Sequence, residues 1–409
     1  MILVKVAWRN LWRNPRRTII TMFSMAFGLS FMIVSHALMI GMADQMVYFA
    51  TSLNTGHIQI HQEDYLKKRS IYSNIKDPSR LMDRLNSLGI GSSSVRAFST
   101  ALISSGPQSA GAALWGIDPA SERKVTELYK HMASGSFLSP GDRGAVVLGK
   151  HLAKKLNVKP GDEVILLAQA ADGSLGNEIY TVKGILNAVG AALDRTGVII
   201  SLPDLDFLLS LGGRVHEIAI RLDKPGNLEQ AKAIVKSSLK DIGLEVKSWK
   251  EIMPTISQMV DLHQVSSMII LIIIFAVASL GIMNTQLMSI FERTREIGVM
   301  RAIGLGPSKV ITMIALETFF MTVIAGAAGS LAGALWAFRL QTHGLDLRKY
   351  VGEIDLGGII FDTLMKAHFS VSTVVEPLIV MVAVVLLATI YPAIRAIRIS
   401  PVDALGRGR

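Results

Sequence analysis

The sequence predicts an integral membrane α-helical protein, with four transmembrane helices and a large extracytoplasmic α+β domain between the first two. Three observations lead there. The runs Thr18–Ala43, Gln264–Ile290, Val310–Phe338 and Val371–Ile394 are each long and apolar enough to cross a hydrocarbon core of roughly 30 Å. About 220 residues part the first run from the second, and they show strand alternation and turn residues rather than linker composition. Half of the 409 residues are hydrophobic and only 18% charged, with a mean hydropathy of +0.42, which is high for a soluble protein.

Residues 1–17 are assigned to a cytoplasmic interfacial amphipathic helix. Val4, Trp8, Leu11 and Trp12 share one face, while Lys5, Arg9 and Arg13 share another. Trp8, Trp12, Arg16 and Arg17 then anchor the chain at the membrane–water boundary, with Pro15 expected to break the helix. A plain orientation signal is the simpler alternative. A cleaved signal peptide fits poorly, because the apolar run of residues 18–43 exceeds the usual h-region and lacks a clear small-x-small cleavage site. His36 is the one ionisable group in this first span, and a packed or hydrogen-bonded role suits it better than a proton relay.

Residues 44–263 form the extracytoplasmic region. Its expected strands are His57–His61, Ala145–Leu148, Val164–Leu167, Ile179–Ile185, Gly197–Ile200, Glu217–Leu222 and Glu245–Ser248, and its expected helices are Lys150–Leu156, Pro203–Leu211 and Leu228–Ile242. Ala171–Gly176 reads as a projecting hairpin tip. An early part (44–105), a middle part (106–215) and a return (216–262) suggest a module interrupted by another.

After span two (264–290) comes the connector 291–309, FERTREIGVMRAIGLGPSK, a charged stretch between two apolar runs. Glu292, Arg293, Arg295, Glu296 and Arg301 are good helix formers, Ile297, Met300 and Ile303 recur every third position, and Gly304-Leu-Gly-Pro307 ends the helix. Such a helix could seat on a cytoplasmic partner; a solvated loop that only fixes topology is the other reading. Span three (310–338) holds Glu317, which either joins packing and coupling or snorkels to the interface. Gly326, Gly329 and Gly333 give it a small-residue face for a span-to-span or dimer contact. A short loop (339–370), span four (371–394) and a tail (395–409) follow. Lys and Arg gather at the N-terminus, the connector and the tail, which places all three in the cytoplasm.

The formal net charge of +10 sits beside apolar runs, which suits anionic lipid headgroups rather than nucleic acid. With no cysteine, disulfides, thiolate metal sites and cysteine nucleophiles are excluded. Gly144–Lys150 nearly matches a phosphate-binding loop, but His151 stands where Ser or Thr must reach magnesium. His57 and His61, roughly 13 Å apart on an extended strand, are too distant for one metal ion. No serine, histidine and acid grouping has a catalytic context, so an enzyme is not expected.

Three stretches carry a resemblance: Trp8–Thr18 (WRNLWRNPRRT), Arg293–Gly304 (RTREIGVMRAIG) and Tyr391–Leu405 (YPAIRAIRISPVDAL). With the four-span, one-long-loop layout, the chain resembles the bacterial ABC-transporter permeases that include the lipoprotein-releasing LolC and LolE, the efflux protein MacB and, more distantly, FtsX. The resemblance implies a mechanotransmission permease of the bacterial inner membrane with a periplasmic domain of Porter and Sabre parts. It implies a second permease copy or paralogue and a separate homodimeric ABC ATPase that holds the ATP and magnesium, with no cofactor on this chain. Glu292, Arg293, Arg295, Glu296, Gly298, Arg301 and Gly304 would form the ATPase contact. Lipoprotein release is the leading expectation. Efflux of peptides, drugs or other amphiphiles, or regulation of an external enzyme, is the alternative, and a periplasmic chaperone or adaptor is a further partner.

Overall fold

A computed structural model describes residues 2–187, 189–239, 243–346, 354–356, 359–361 and 364–398. Residues 399–405 of the C-terminal motif and the arginines at 348, 407 and 409 lie outside them. The described residues of 2–44, 261–346 and 364–398 make one compact unit, and those of 45–260 form the body of another.

The chain opens with α1 (Ile2–Leu11) and turns into α2 (Pro15–Ala50). Pro15 does not act as the breaker of the first helix; it is the first residue of the second, where its fixed φ fits and its missing N–H costs nothing. The Thr18 hydroxyl donates to the Leu11 carbonyl at 2.7 Å and closes the corner. A π-helical turn, Thr51–Thr55, ends the long helix. Gly56 follows at φ 67°, where a Cβ would come within 2.9 Å of the Ile220 carbonyl.

The sheet domain then runs β1 (Ile58–Gln62), α3 (Tyr65–Lys68), α4 (Pro78–Ser87), β2 (Gly91–Ser105), β3 (Gln108–Ile117), α5 (Pro119–Val125), β4 (Met132–Gly135), β5 (Ala145–Leu148) and α6 (Lys150–Leu156). It continues through β6 (Glu163–Gln169), β7 (Leu175–Leu186), α7 (Ala191–Thr196), β8 (Gly197–Ser201), α8 (Leu202–Leu209), β9 (Glu217–Leu222), α9 (Leu228–Ser238), β10 (Leu244–Ser248) and α10 (Trp249–Ile252).

Two lobes share the strand β2. In the first, the order β10-β1-β9-β2 is antiparallel throughout, and α4 and α9 cover it. This is a βαββαβ arrangement, with Ile58, Ile60, Ile218 and Ile220 packed on Leu81, Leu85 and Val235. In the second, β2, β3, β8, β5, β7 and β6 pair in turn, and β6 returns to β2 to close a six-stranded barrel. Its interior is filled by Ala97, Leu114, Val146, Val164, Val182 and Ile200, capped by Leu152 and Leu205. The lobes meet within β2 itself, since Val95 packs on the first core and Ala97 belongs to the second. The change therefore falls at Arg96, not after Ser105 as the sequence reading has it; that position lies at the β2–β3 hairpin.

The chain continues as α11 (Pro254–Glu292), α12 (Thr294–Ala302), α13 (Pro307–His343) and α14 (Val371–Ile397). Among the described residues, four helices (α2, α11, α13 and α14) are long and apolar enough to cross a membrane. At 1.5 Å per residue, the 36 residues of α2 and 39 of α11 span roughly 54 and 58 Å, well beyond the hydrocarbon thickness.

Candidate functional site

The connector folds as the short helix α12, set off from α11 by Arg293. It ends in a Schellman turn, in which Leu305 N–H bonds to the Met300 carbonyl at 2.9 Å and Gly304 N–H to that of Arg301 at 3.1 Å. Gly304 stands at φ 105°, a conformation that favours glycine. The apolar triplet does not form one stripe. Ile297 is 1% exposed and packs with Ile290, Val310 and Ile314, whereas Ile303 is 82% exposed. Gly298 is buried, and Arg295, Val299 and Ile303 lie on the solvent side.

Glu292, Arg293, Glu296 and Arg301 of the connector turn toward the chain's own elements. Arg293 is buried and donates twice to Glu317 of α13, at 2.9 and 3.0 Å, and Asn10 of α1 donates to the same carboxylate at 2.7 Å. Glu317 is therefore held in a three-way bridge and does not snorkel. Glu296 pairs with Arg13 at 2.7 Å, Glu292 pairs with Arg17 at 2.7 Å, and Arg301 donates to the Ile397 carbonyl at 2.7 Å. Arg16 is exposed. Trp8 meets Phe320 edge-on at 5.4 Å and Trp12 at 6.1 Å, so part of the interfacial tryptophan face packs on α13.

The small-residue face of α13 contacts two helices of its own chain. A Cβ on Gly329 would lie 2.6 Å from the Ala26 carbonyl and one on Gly333 2.9 Å from Ile33, both on α2, while Gly326 faces Leu378 and Met381 of α14. His36 joins three helices: its ring lies 3.2 Å from the Ser267 hydroxyl and 3.1 Å from the Glu376 carboxylate. Glu376 and Ser267 drew no notice in the sequence, because one polar residue in an apolar run has no periodicity.

In the sheet domain the most densely charged point is Arg96. It is 1% exposed and bonds Glu122 twice, at 2.7 and 3.0 Å, Glu217 at 2.7 Å, and the Asn54 carbonyl at 2.8 Å. His61 lies 3.2 Å from the other oxygen of Glu217. Burial alone would raise the Glu217 pKa, but Arg96 and His61 overcome it and hold the carboxyl below its usual range. His57 accepts the Leu222 N–H at 3.1 Å, and burial brings its pKa down to about 4, with Arg221 adding to the effect. The phosphate-loop look-alike is the β5–α6 junction. Gly149 is needed there because a Cβ would lie 2.0 Å from the Leu193 carbonyl, and Lys150 bonds Asn187 at 3.0 Å.

Comparison with known proteins gives these elements a context. The FtsX-like permease C-terminal family matches residues 268–401, and the MacB-like periplasmic core domain matches residues 18–238, more than half of the chain. The chain belongs to this permease family. The permease is 23% identical to the lipoprotein-releasing system transmembrane protein LolC of Neisseria meningitidis serogroup B over 408 residues, covering 96% of this chain and 95% of that one. It is 28% identical to the macrolide export ATP-binding/permease protein MacB of Nitrobacter winogradskyi over 295 residues, covering 68% of this chain and 41% of that one. Among solved structures, the periplasmic region of MacB from Actinobacillus actinomycetemcomitans aligns with 51% of this permease and 95% of that chain, at 17% identity and a TM-score of 0.36. This is an ABC-transporter permease of the LolC/LolE and MacB type.

Proposed function

We propose that this permease couples ATP hydrolysis on a separate cytoplasmic ATPase to shape changes of a periplasmic domain, and that its cargo is lipoprotein leaving the bacterial inner membrane. The end-to-end similarity to LolC is the observation that carries the reading. The exposed side of α12, with Arg295, Val299 and Ile303, supplies a mixed basic and apolar face for a groove on the ATPase, whose homodimer holds ATP and magnesium. Both termini and α12 lie in the cytoplasm on the count of flanking Lys and Arg. Two continuous helices, α2 and α11, carry movement outward as stiff rods. A second permease copy or paralogue completes the membrane part, and a periplasmic chaperone or adaptor receives the cargo.

The match to the MacB-like core domain favours a second reading, efflux of a peptide, drug or other amphiphile. Isolation of the tagged permease in nanodiscs, with mass spectrometry of the co-purifying proteins and lipidated species, separates the two. An ATPase with triacylated lipoproteins is the expected result. An ATPase with an external adaptor or hydrolase, and no lipoprotein, moves the reading to efflux or regulation. Absence of any ATPase sinks both.

A further inference from the structure

The acidic residues of the connector, and Glu317 of α13 beside it, are all engaged within the chain. Glu292 takes Arg17 and, at 3.3 Å, Asn14; Glu296 takes Arg13 and, at 3.5 Å, Arg293; and Glu317 takes Arg293 and Asn10. Arg293 apart, the partners lie on α1, on the corner after it and on the first turn of α2, so Arg13, Asn14 and Arg17 of the N-terminal segment bond the carboxylates at the α11–α12 junction. Exposed ion pairs are individually weak. The firm part is the buried Asn10–Glu317–Arg293 bridge, and the outer pairs set its direction. Trp8 against Phe320 adds an apolar contact on the same side.

We propose that the N-terminal segment and α12 form one rigid arm, in which Asn10, Arg13 and Arg17 are positioning residues that pass movement of α12 straight into α2. The proposal rests on the ATPase reading above for the source of force. It places Arg295, Val299 and Ile303 against the ATPase and removes Glu292 and Glu296 from that contact. Span one is then driven at its foot as directly as spans two and three, which adjoin the connector covalently.

The chain has no cysteine, so introduced pairs can be linked without background. In native membranes a short bismaleimide should join Arg13→Cys to Glu296→Cys and Arg17→Cys to Glu292→Cys efficiently, and Arg13→Cys to Ile303→Cys poorly. Equal yields for all three pairs overturn the arm, whatever the ATPase does. With the ATPase bound, linking Arg13→Cys to Glu296→Cys should bring substrate-stimulated hydrolysis to within about twofold of the wild-type permease and above that of the unlinked variant, and loss on linking means that the two parts move separately. Glu292→Arg should cut stimulation by at least about fivefold while the ATPase still co-purifies, and adding Arg17→Glu should restore it. Loss of ATPase co-purification in Glu292→Arg, unrelieved by Arg17→Glu, puts Glu292 in the ATPase contact and overturns the assignment. A wild-type permease that retains no ATPase defeats the function proposed above, yet the cross-linking yields still decide the arm.

Discussion

Arg96 of the sheet domain and Arg293 beside the connector are both buried arginines paired with carboxylates, and the two sites differ in how completely they are enclosed. Arg96 sits between two lobes with its side chain 1% exposed, faced by Glu122 and Glu217 that are nearly as enclosed, and with the Asn54 carbonyl accepting a further hydrogen bond. Arg293 is 9% exposed, shares one buried carboxylate with the neutral Asn10 amide and reaches the half-exposed Glu296. Deep in a core the chain must supply every counter-charge and acceptor, because desolvated charges are costly to leave unmatched. At a water boundary fewer partners suffice. The first site therefore suits a fixed joint, and the second suits a bracket that bears load while remaining in reach of a partner.

The largest expected effect tests the joint. Arg96→Met keeps much of the volume but strands two buried carboxylates, and should cost about 3–5 kcal/mol, read as a lowered Tm of the full chain in nanodiscs. A loss below about 1 kcal/mol would make Arg96 no more embedded than a surface pair and would erase the contrast.

Acid should sharpen it. Because the folded protein holds His57 near pKa 4 against 6.5 unfolded, it binds fewer protons in that window, so stability falls as pH drops from 6.5 towards 4, by at most about 3 kcal/mol. Burial favours a higher pKa for Glu127, but bonds from Tyr48, Lys130 and Arg221 bring it down to about 2 from 4.5; its stabilising share is present above 4.5 and lost as pH falls towards 2. His57→Gln, which keeps an acceptor for the Leu222 N–H, should flatten the upper window of a Tm-against-pH curve and leave the lower one. A curve unchanged in both windows would detach His57 from the acid response.

In the membrane unit the effects are steric and smaller. Gly329→Val places a side chain where even a Cβ would lie 2.6 Å from the Ala26 carbonyl, and should cost about 1–3 kcal/mol as α2 and α13 are pushed apart. Wild-type thermal stability in that variant would mean the two helices are not so closely apposed. Smallest of all, Arg13→Ala should change stability by no more than about 1 kcal/mol, because its pair with Glu296 is half in water, even though coupling depends on it.

Parts of this architecture were legible in the sequence for definite reasons. The strands Ala145–Leu148 and Glu217–Leu222 stand where alternation and β-branched residues place them. The connector helix was marked by its charges and by Gly304 and Pro307. The hairpin of β2 and β3 was not read, because GSSSVRAFSTALISS and QSAGAALWGI are dominated by serine, alanine and glycine, which have little strand preference of their own. These strands exist because β9, β6 and β8 pair with them. The same distinction separates helix from function at the connector. Composition identified a charged helix, whereas its inward and outward sides depend on partners about 280 residues earlier in the chain.

By itself, then, the sequence determined which segments are long and apolar enough to cross a membrane and where the chain must turn, because hydrophobic length and glycine or proline φ preferences act locally. Only the tertiary structure decided that β2 serves two lobes, that Arg96 lies at their seam, that the glycine face of α13 meets α2, and that Glu292 and Glu296 answer to Arg17 and Arg13. Each of these depends on contacts between residues far apart in the chain, and no local pattern encodes which distant partner will satisfy a buried charge or fill the space left by a missing side chain.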